Sequence, residues 1–171
     1  MAAKASRKVK AKSKAKRKKS GSRKPKAQKI PLMCGLPIVP PPSLPAGLEE
    51  GRTSALLMTQ NKWANGTVLH FYFMDRGPAL ASQMDQVRKG FKHWKDQGIG
   101  LEFVEVQTPQ EAEIRVTFKQ GKGSASYVGT DNLDIPKSQG TMNVGWSLTA
   151  TTWGWATTLH EIGHAIGMPH E

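Results

Sequence analysis

His160, Glu161, His164, Gly167 and His170 fall within the last twelve residues of a 171-residue chain, at a spacing that can close three imidazoles around one metal ion and leave a carboxylate beside it. On an α-helix of about 3.6 residues per turn, His160 and His164 lie one turn apart and project from one face. Glu161 stands about 100° round the helix from His160, within reach of a water on such an ion but outside the ligand set. Gly167 permits a left-handed turn that a side chain would penalise, so the helix can end there and His170 can return as a third ligand. Three neutral imidazoles with a fourth position open are the donor set of a catalytic zinc site rather than a structural one. Zn²⁺ in such a site brings the pKa of a bound water to about 7, and a carboxylate beside it can act as general base. The expectation is one Zn²⁺ per chain on His160, His164 and His170, with Glu161 activating the zinc-bound water that hydrolyses a peptide bond.

These residues match every fixed position of the H-E-x-x-H-x-x-G-x-x-H signature, and the chain resembles the metzincin clan of zinc endopeptidases. Glu171, directly after the third histidine, is similar to the astacin family within that clan. Trp94 followed by Ile99-Gly100-Leu101-Glu102-Phe103, and Ser126-Tyr127-Val128-Gly129, are similar to astacin segments too. The resemblance implies zinc ligation by the three histidines, proton transfer by Glu161, a protein or peptide substrate, and an edge strand that pairs antiparallel with the substrate backbone. Thr141, Met142, Asn143, Val144 and Gly145 are the candidates for that strand, an interior strand being the alternative. It also implies a methionine-containing turn downstream of the third histidine, so residues 51–171 are read as the N-terminal part of a catalytic domain. Astacins usually carry disulfides, whereas Cys34 is the single cysteine here and no intrachain disulfide can form.

The elements that must position the motif are legible as periodicities. Thr67 to Phe73 is rich in β-branched and aromatic residues and closes on Asp75-Arg76-Gly77-Pro78, the pattern of a strand and a turn. Leu80, Met84, Val87, Phe91 and Trp94 recur at steps of four and three, which lays one apolar stripe along a helix over residues 79–97. Leu101 to Val106 and Ile114 to Phe118 read as half-buried strands, and Gly140 to Trp146 as a shorter one. The motif helix is expected to start near Thr151 or Thr152, either of which could cap it, with Trp155, Leu159, Ile162 and Ile166 on its packed side. Strand, helix, strands, helix predicts an α/β fold with a twisted mixed sheet, of the kind that forms the upper part of a metzincin domain.

Charge divides the chain. Residues 1–30 hold 14 of the 25 Lys and Arg and no acid, leaving 11 basic against 13 acidic residues elsewhere, so the net charge of +12 is carried by the N-terminus. That stretch has too little apolar content to offset chain entropy, and it is expected to be a disordered tail. Either it is a solvated arm, or it engages polyanions such as nucleic acid or acidic membranes without sequence preference, since no aromatic residues are interleaved to stack bases. No apolar core of about seven residues follows the basic start, so no Sec-type export signal is expected, and no run approaches the ~18 apolar residues of a membrane span.

Residues 31–50 are proline-rich and predict an extended linker. Within it, Pro31-Leu32-Met33-Cys34-Gly35-Leu36-Pro37 is similar to the cysteine switch of matrix metalloproteinase propeptides, which makes Cys34 a candidate inhibitory thiol; a lone reduced thiol is the alternative. His70 and His93 have no partner at ligand spacing. Asp131 and Asp134 read as a polar surface turn, and Asn65-Gly66-Thr67 as a turn. Two functions follow from these readings. One is a zinc metalloendopeptidase; the other is an inert zinc-binding module whose basic tail carries the activity. Glu161 favours the first, because a purely structural site has no use for a carboxylate beside an open position.

Overall fold

The structure is a computed structural model that describes Cys34, Gly35, Pro37 and residues 61–170. The basic tail, nearly all of the linker, residues 51–60 of the expected catalytic domain and Glu171 lie outside the described residues. Strand β1 (Val68–Phe73) is followed by helix α1 (Ala81–Asp96), then β2 (Glu102–Glu105), β3 (Ile114–Thr117), β4 (Ala125–Ser126), β5 (Met142–Asn143) and helix α2 (Gly154–Ala165). The strands form one sheet in the order β2-β1-β3-β5-β4. β1 pairs parallel with β2 and β3, β3 parallel with β5, and β4 antiparallel with β5. Helix α1 is the crossover that parallel pairing of β1 and β2 requires. The expected mixed α/β sheet is present.

Alternation along β1 turns Leu69, Phe71 and Phe73 into the core, each 5% exposed or less. The stripe on α1 meets them: Phe91 stacks on Phe71 at 4.4 Å between ring centroids, with Val87 one turn away and fully buried. Burial of each such side chain is worth about 1.5–3 kcal/mol. Ile162 and Ala165 of α2, with Ile166 at its C-terminal end, complete the cluster. The two helices pack tightly at Gly90, where an added Cβ would stand 2.6 Å from Thr158 Cγ2 and 2.7 Å from Ile162 Cδ1. The apolar stripe of α1 thus fixes the height and rotation of the motif helix.

Three expectations change. β3 is not half-buried: all four of its residues are buried, because a parallel strand in mid-sheet is covered on both faces. Helix α2 begins at Gly154 without a threonine cap; Thr151 Oγ1 donates instead to Ser147 O at 3.2 Å, and a Cβ on Gly154 would stand 1.6 Å from Leu148 O. Trp155 consequently lies on the outer side, 38% exposed, while Ile162 and Ile166 pack inward.

The third concerns Thr141, Met142, Asn143, Val144 and Gly145, which do not form a free edge. Thr141 N–H donates to Arg115 O and Val144 N–H to Thr117 O on one side, and Thr141 O accepts from Tyr127 N–H on the other. With both sides of its main chain used, β5 is interior, and β4 is the edge on that side of the sheet. A peptide that adds to this end of the sheet must therefore pair beside β4.

Arg115 is a feature that no sequence pattern announces. It is fully buried on β3, where burial holds its guanidinium below the usual arginine range and the charge of Glu113 opposes that shift in part. Its donors reach main-chain oxygens of Gln139 at 2.7 Å, Ile135 at 2.9 Å, Ala112 at 3.0 Å, Glu113 at 3.2 Å and Asn132 at 3.4 Å. One cation thereby ties the loop before β5 to the sheet.

Candidate active site

Helix α2 carries His160 and His164 one turn apart, and their Nε2 atoms are 3.0 Å from each other. The helix ends as a Schellman motif, with Gly167 N–H donating to His164 O at 2.8 Å and Met168 N–H to Gly163 O at 2.9 Å. Gly167 takes φ 108°, the left-handed region a side chain resists. The reversal brings His170 back across the helix, placing its Nε2 3.0 Å from that of His160 and 3.1 Å from that of His164.

Three imidazole nitrogens thus converge within one triangle. His164 Nδ1 lies 2.6 Å from Met168 O, a carbonyl that can only accept, so the proton sits on Nδ1 and the Nε2 lone pair faces the other two histidines. Burial, and after it the proximity of His170, holds His160 below the usual histidine range; burial is also the main cause of the same shift at His164. Neutral imidazoles with lone pairs aimed at a common point are a donor set for a cation, and these separations suit nitrogens that each sit about 2.0–2.1 Å from one zinc ion.

Glu161 is 1% exposed. Burial pushes its carboxyl up to about 7, partly countered by a thiol donor, Cys34 Sγ, at 3.6 Å from its Oε2. The thiol itself is pushed up to about 12, first by burial and then by the charge of Glu161 and the hydrogen bond to it. Cys34 Sγ and the three histidine nitrogens all lie within 4.8 Å of one another, the one such group of potential metal donors among the described residues. Cys34 is held there by the free edge of the sheet: it bridges Ser124 in parallel, and Gly35 N–H donates to Ser124 O at 3.2 Å. The cleft at this point has a volume of about 540 Å³ and is lined by Cys34, Trp146, Ala156, Thr157, His160, Glu161 and His170.

The structure therefore brings His160, Glu161, His164, His170 and Cys34 together and leaves the Thr141–Gly145 segment inside the sheet. His70 stays away, 3.1 Å from Glu113 Oε2, and His93 meets the edge of Trp155 instead. Asp131 accepts a hydrogen bond from Asn61 Nδ2 at 3.1 Å and lies in a short 3-10 helix, Gly129–Leu133, rather than in a turn. Sequence reasoning misses two supports of the motif helix. Trp94 Nε1 donates to Leu159 O at 3.0 Å and Trp63 Nε1 to Ala165 O at 2.9 Å, one residue before the first histidine and one after the second. Nothing in the spacing of these tryptophans sets their indole N–H groups apart from ordinary core residues. Trp146, on the cleft wall, is silent in the sequence for the same reason.

The sequence is 27% identical over 128 residues to karilysin of Tannerella forsythia, a match that covers 64% of this chain and 27% of that protein. Two solved structures of myroilysin superpose with a TM-score of 0.58 each, at 37% and 36% identity; each match covers 66% of this chain, and 48% and 53% of theirs. The chain thus spans about half the length of the myroilysin chains and a smaller share of karilysin. The sequence pattern of the astacin peptidase family matches residues 56–171, more than half of the chain. The chain belongs to the astacin family of peptidases.

Proposed function

We propose that this chain carries the active site of a zinc metalloendopeptidase, with Zn²⁺ on His160, His164 and His170 and with proteins or peptides as substrates. The observation that carries the reading is the buried carboxyl of Glu161 beside three converging Nε2 atoms. Zn²⁺ held there supplies Lewis acidity toward a substrate carbonyl and toward water. Glu161 would take a proton from water as the oxygen of that water bonds to the peptide carbon, and would then pass the proton to the amine nitrogen as the C–N bond breaks. An extended substrate would add to β4, the sheet edge that Gly35 now occupies at Ser124.

Cys34 is proposed as an inhibitory thiol. It stands among the histidines and touches Glu161, and its segment lies along the edge where a substrate would pair. The same contact supports a second reading, a closed site of one cysteine and three histidines with no open position. The basic tail, residues 1–30, is proposed to bind polyanions without sequence preference.

The experiment is a set of variants assayed for zinc content and for cleavage of unfolded casein. One equivalent of zinc is expected. Glu161→Gln retains it and loses nearly all cleavage, whereas Ala at His160, His164 or His170 lowers zinc affinity. Cys34→Ala raises cleavage and keeps zinc if the thiol blocks the site. Loss of zinc from Cys34→Ala without any gain in cleavage favours the closed site. Loss of zinc from Glu161→Gln, or undiminished cleavage by it, overturns the roles of the carboxyl and the histidines.

A further inference from the structure

An α-helix leaves the carbonyls of its last turn without a partner from its own ladder, and each buried one needs a donor from elsewhere. In α2 the turn at Gly167 meets this need twice, Met168 N–H donating to Gly163 O and Gly167 N–H to His164 O. The carbonyl of Ala165 comes next, and the turn has nothing for it. Four residues on stands Pro169, which has no N–H, and the chain has already left the helix at Gly167. Ala165 is fully buried, so water cannot take the missing place. The donor is Trp63 Nε1, at 2.9 Å, from 102 residues earlier in the sequence. Trp94 acts differently. Its Nε1 donates to Leu159 O at 3.0 Å, but Leu159 lies within α2, where the N–H of Gly163 is the regular partner of that carbonyl. Trp94 adds to a bond the helix already makes, whereas Trp63 supplies the donor that the turn lacks.

The chain around Trp63 is tied down on both sides of the ring. Asn61 O accepts from Thr130 N–H at 3.0 Å and Asn61 Nδ2 donates to Asp131 Oδ2 at 3.1 Å, while Ala64 O accepts from Thr67 N–H at 3.1 Å. The same stretch lies against the turn, since a Cβ on Gly167 would stand 3.1 Å from Asn61 O and 3.4 Å from Lys62 Cα. Residues 61–63 thus form a strap across the end of α2. The turn beneath it serves two of the histidines. It carries His170 back to the others, and its Met168 O holds the Nδ1 proton of His164 at 2.6 Å. A turn that opened to bring the Ala165 carbonyl to water would displace both.

We propose that Trp63 is a positioning residue for the third metal ligand: by taking up the Ala165 carbonyl, its indole N–H holds the turn that presents His170. This rests on the reading of His160, His164 and His170 as a zinc site. Trp63 acts through the turn alone, as an outer support whose loss loosens a ligand rather than removing one.

The test compares the full chain with its Trp63→Phe variant, which keeps an aromatic ring and loses the donor. Zinc affinity, read by competition with a chelator, should weaken about ten-fold. In ¹⁵N-histidine-labelled, zinc-loaded protein the metal-bound signal of His160 should persist, while that of His170 broadens or moves toward the free ring. Val116→Ala, a cavity in mid-sheet, controls for lost stability: it should lower Tm and leave zinc affinity within about two-fold. Coupling is reciprocal, so zinc should slow hydrogen exchange at the Trp63 indole of the ¹⁵N-tryptophan-labelled, unmodified chain more than at that of Trp94. This last readout does not depend on the variant folding. Unchanged zinc affinity in Trp63→Phe, an equal loss in Val116→Ala, or exchange at Trp63 slowed no more than at Trp94 overturns the role of Trp63 alone. An unmodified chain that takes up no zinc overturns the reading of the metal site, and this inference with it.

Discussion

Gly167 has φ 108°, and a Cβ there would lie 3.1 Å from Asn61 O. An L residue in a left-handed conformation costs roughly 1–2 kcal/mol. The bonds that turn the chain toward His170 pass through this residue and its neighbour. Gly167→Ala should therefore destabilise the fold by about that amount and weaken zinc binding by roughly ten-fold, because the strain falls on the turn that presents the third ligand. Parallel zinc titration and thermal unfolding check it; unchanged zinc affinity with a lowered Tm would separate the turn from the site. At this scale most of the site is legible in the sequence, since His160, Glu161, His164, Gly167 and His170 are related by local helix geometry. Cys34 and Trp146 are less so. Cys34 reaches Glu161 across 127 residues, and what brings it there is a main-chain pairing at Ser124 that side-chain patterns do not encode.

Arg115 sets the position of a whole segment. Its guanidinium gathers main-chain oxygens from Ala112, Gln139 and Ile135, and no buried carboxylate competes for it within that set. Arg115→Met would fill much of the same volume but leave those oxygens, of which that of Ala112 is in a fully buried bond, without their donor. Hydrogen bonds to a charged donor contribute about 1.5–3 kcal/mol each, and together their loss should cost at least about 3 kcal/mol, read as a lower denaturation midpoint. A shift under about 1 kcal/mol would mean that water replaces the guanidinium. The strand and helix periodicities of β1 and α1 are legible because each element buries one face against the other. The segment around β5 is not, because edge or interior status depends on which strands lie beside it. A two-residue strand carries too few side chains to record that.

For the whole molecule, the division of charge is the feature that the fold leaves unused. Residues 1–30 carry 14 Lys and Arg without an acid, while the rest of the chain has 11 basic and 13 acidic residues. No helix among the described residues is long and apolar enough to cross a membrane. The chain should bind duplex DNA or acidic vesicles weakly, and affinity should fall by at least about ten-fold between roughly 50 and 200 mM salt, as counterion release requires. Deleting residues 1–30 should abolish that binding, because the remaining net charge is slightly negative, and should leave zinc content and casein cleavage unchanged. The donors of the metal cluster come from Cys34 and from residues 160–170, none of which belongs to the deleted segment. DNA binding that is indifferent to salt, or that survives the deletion, would place the polyanion contact on the folded domain instead.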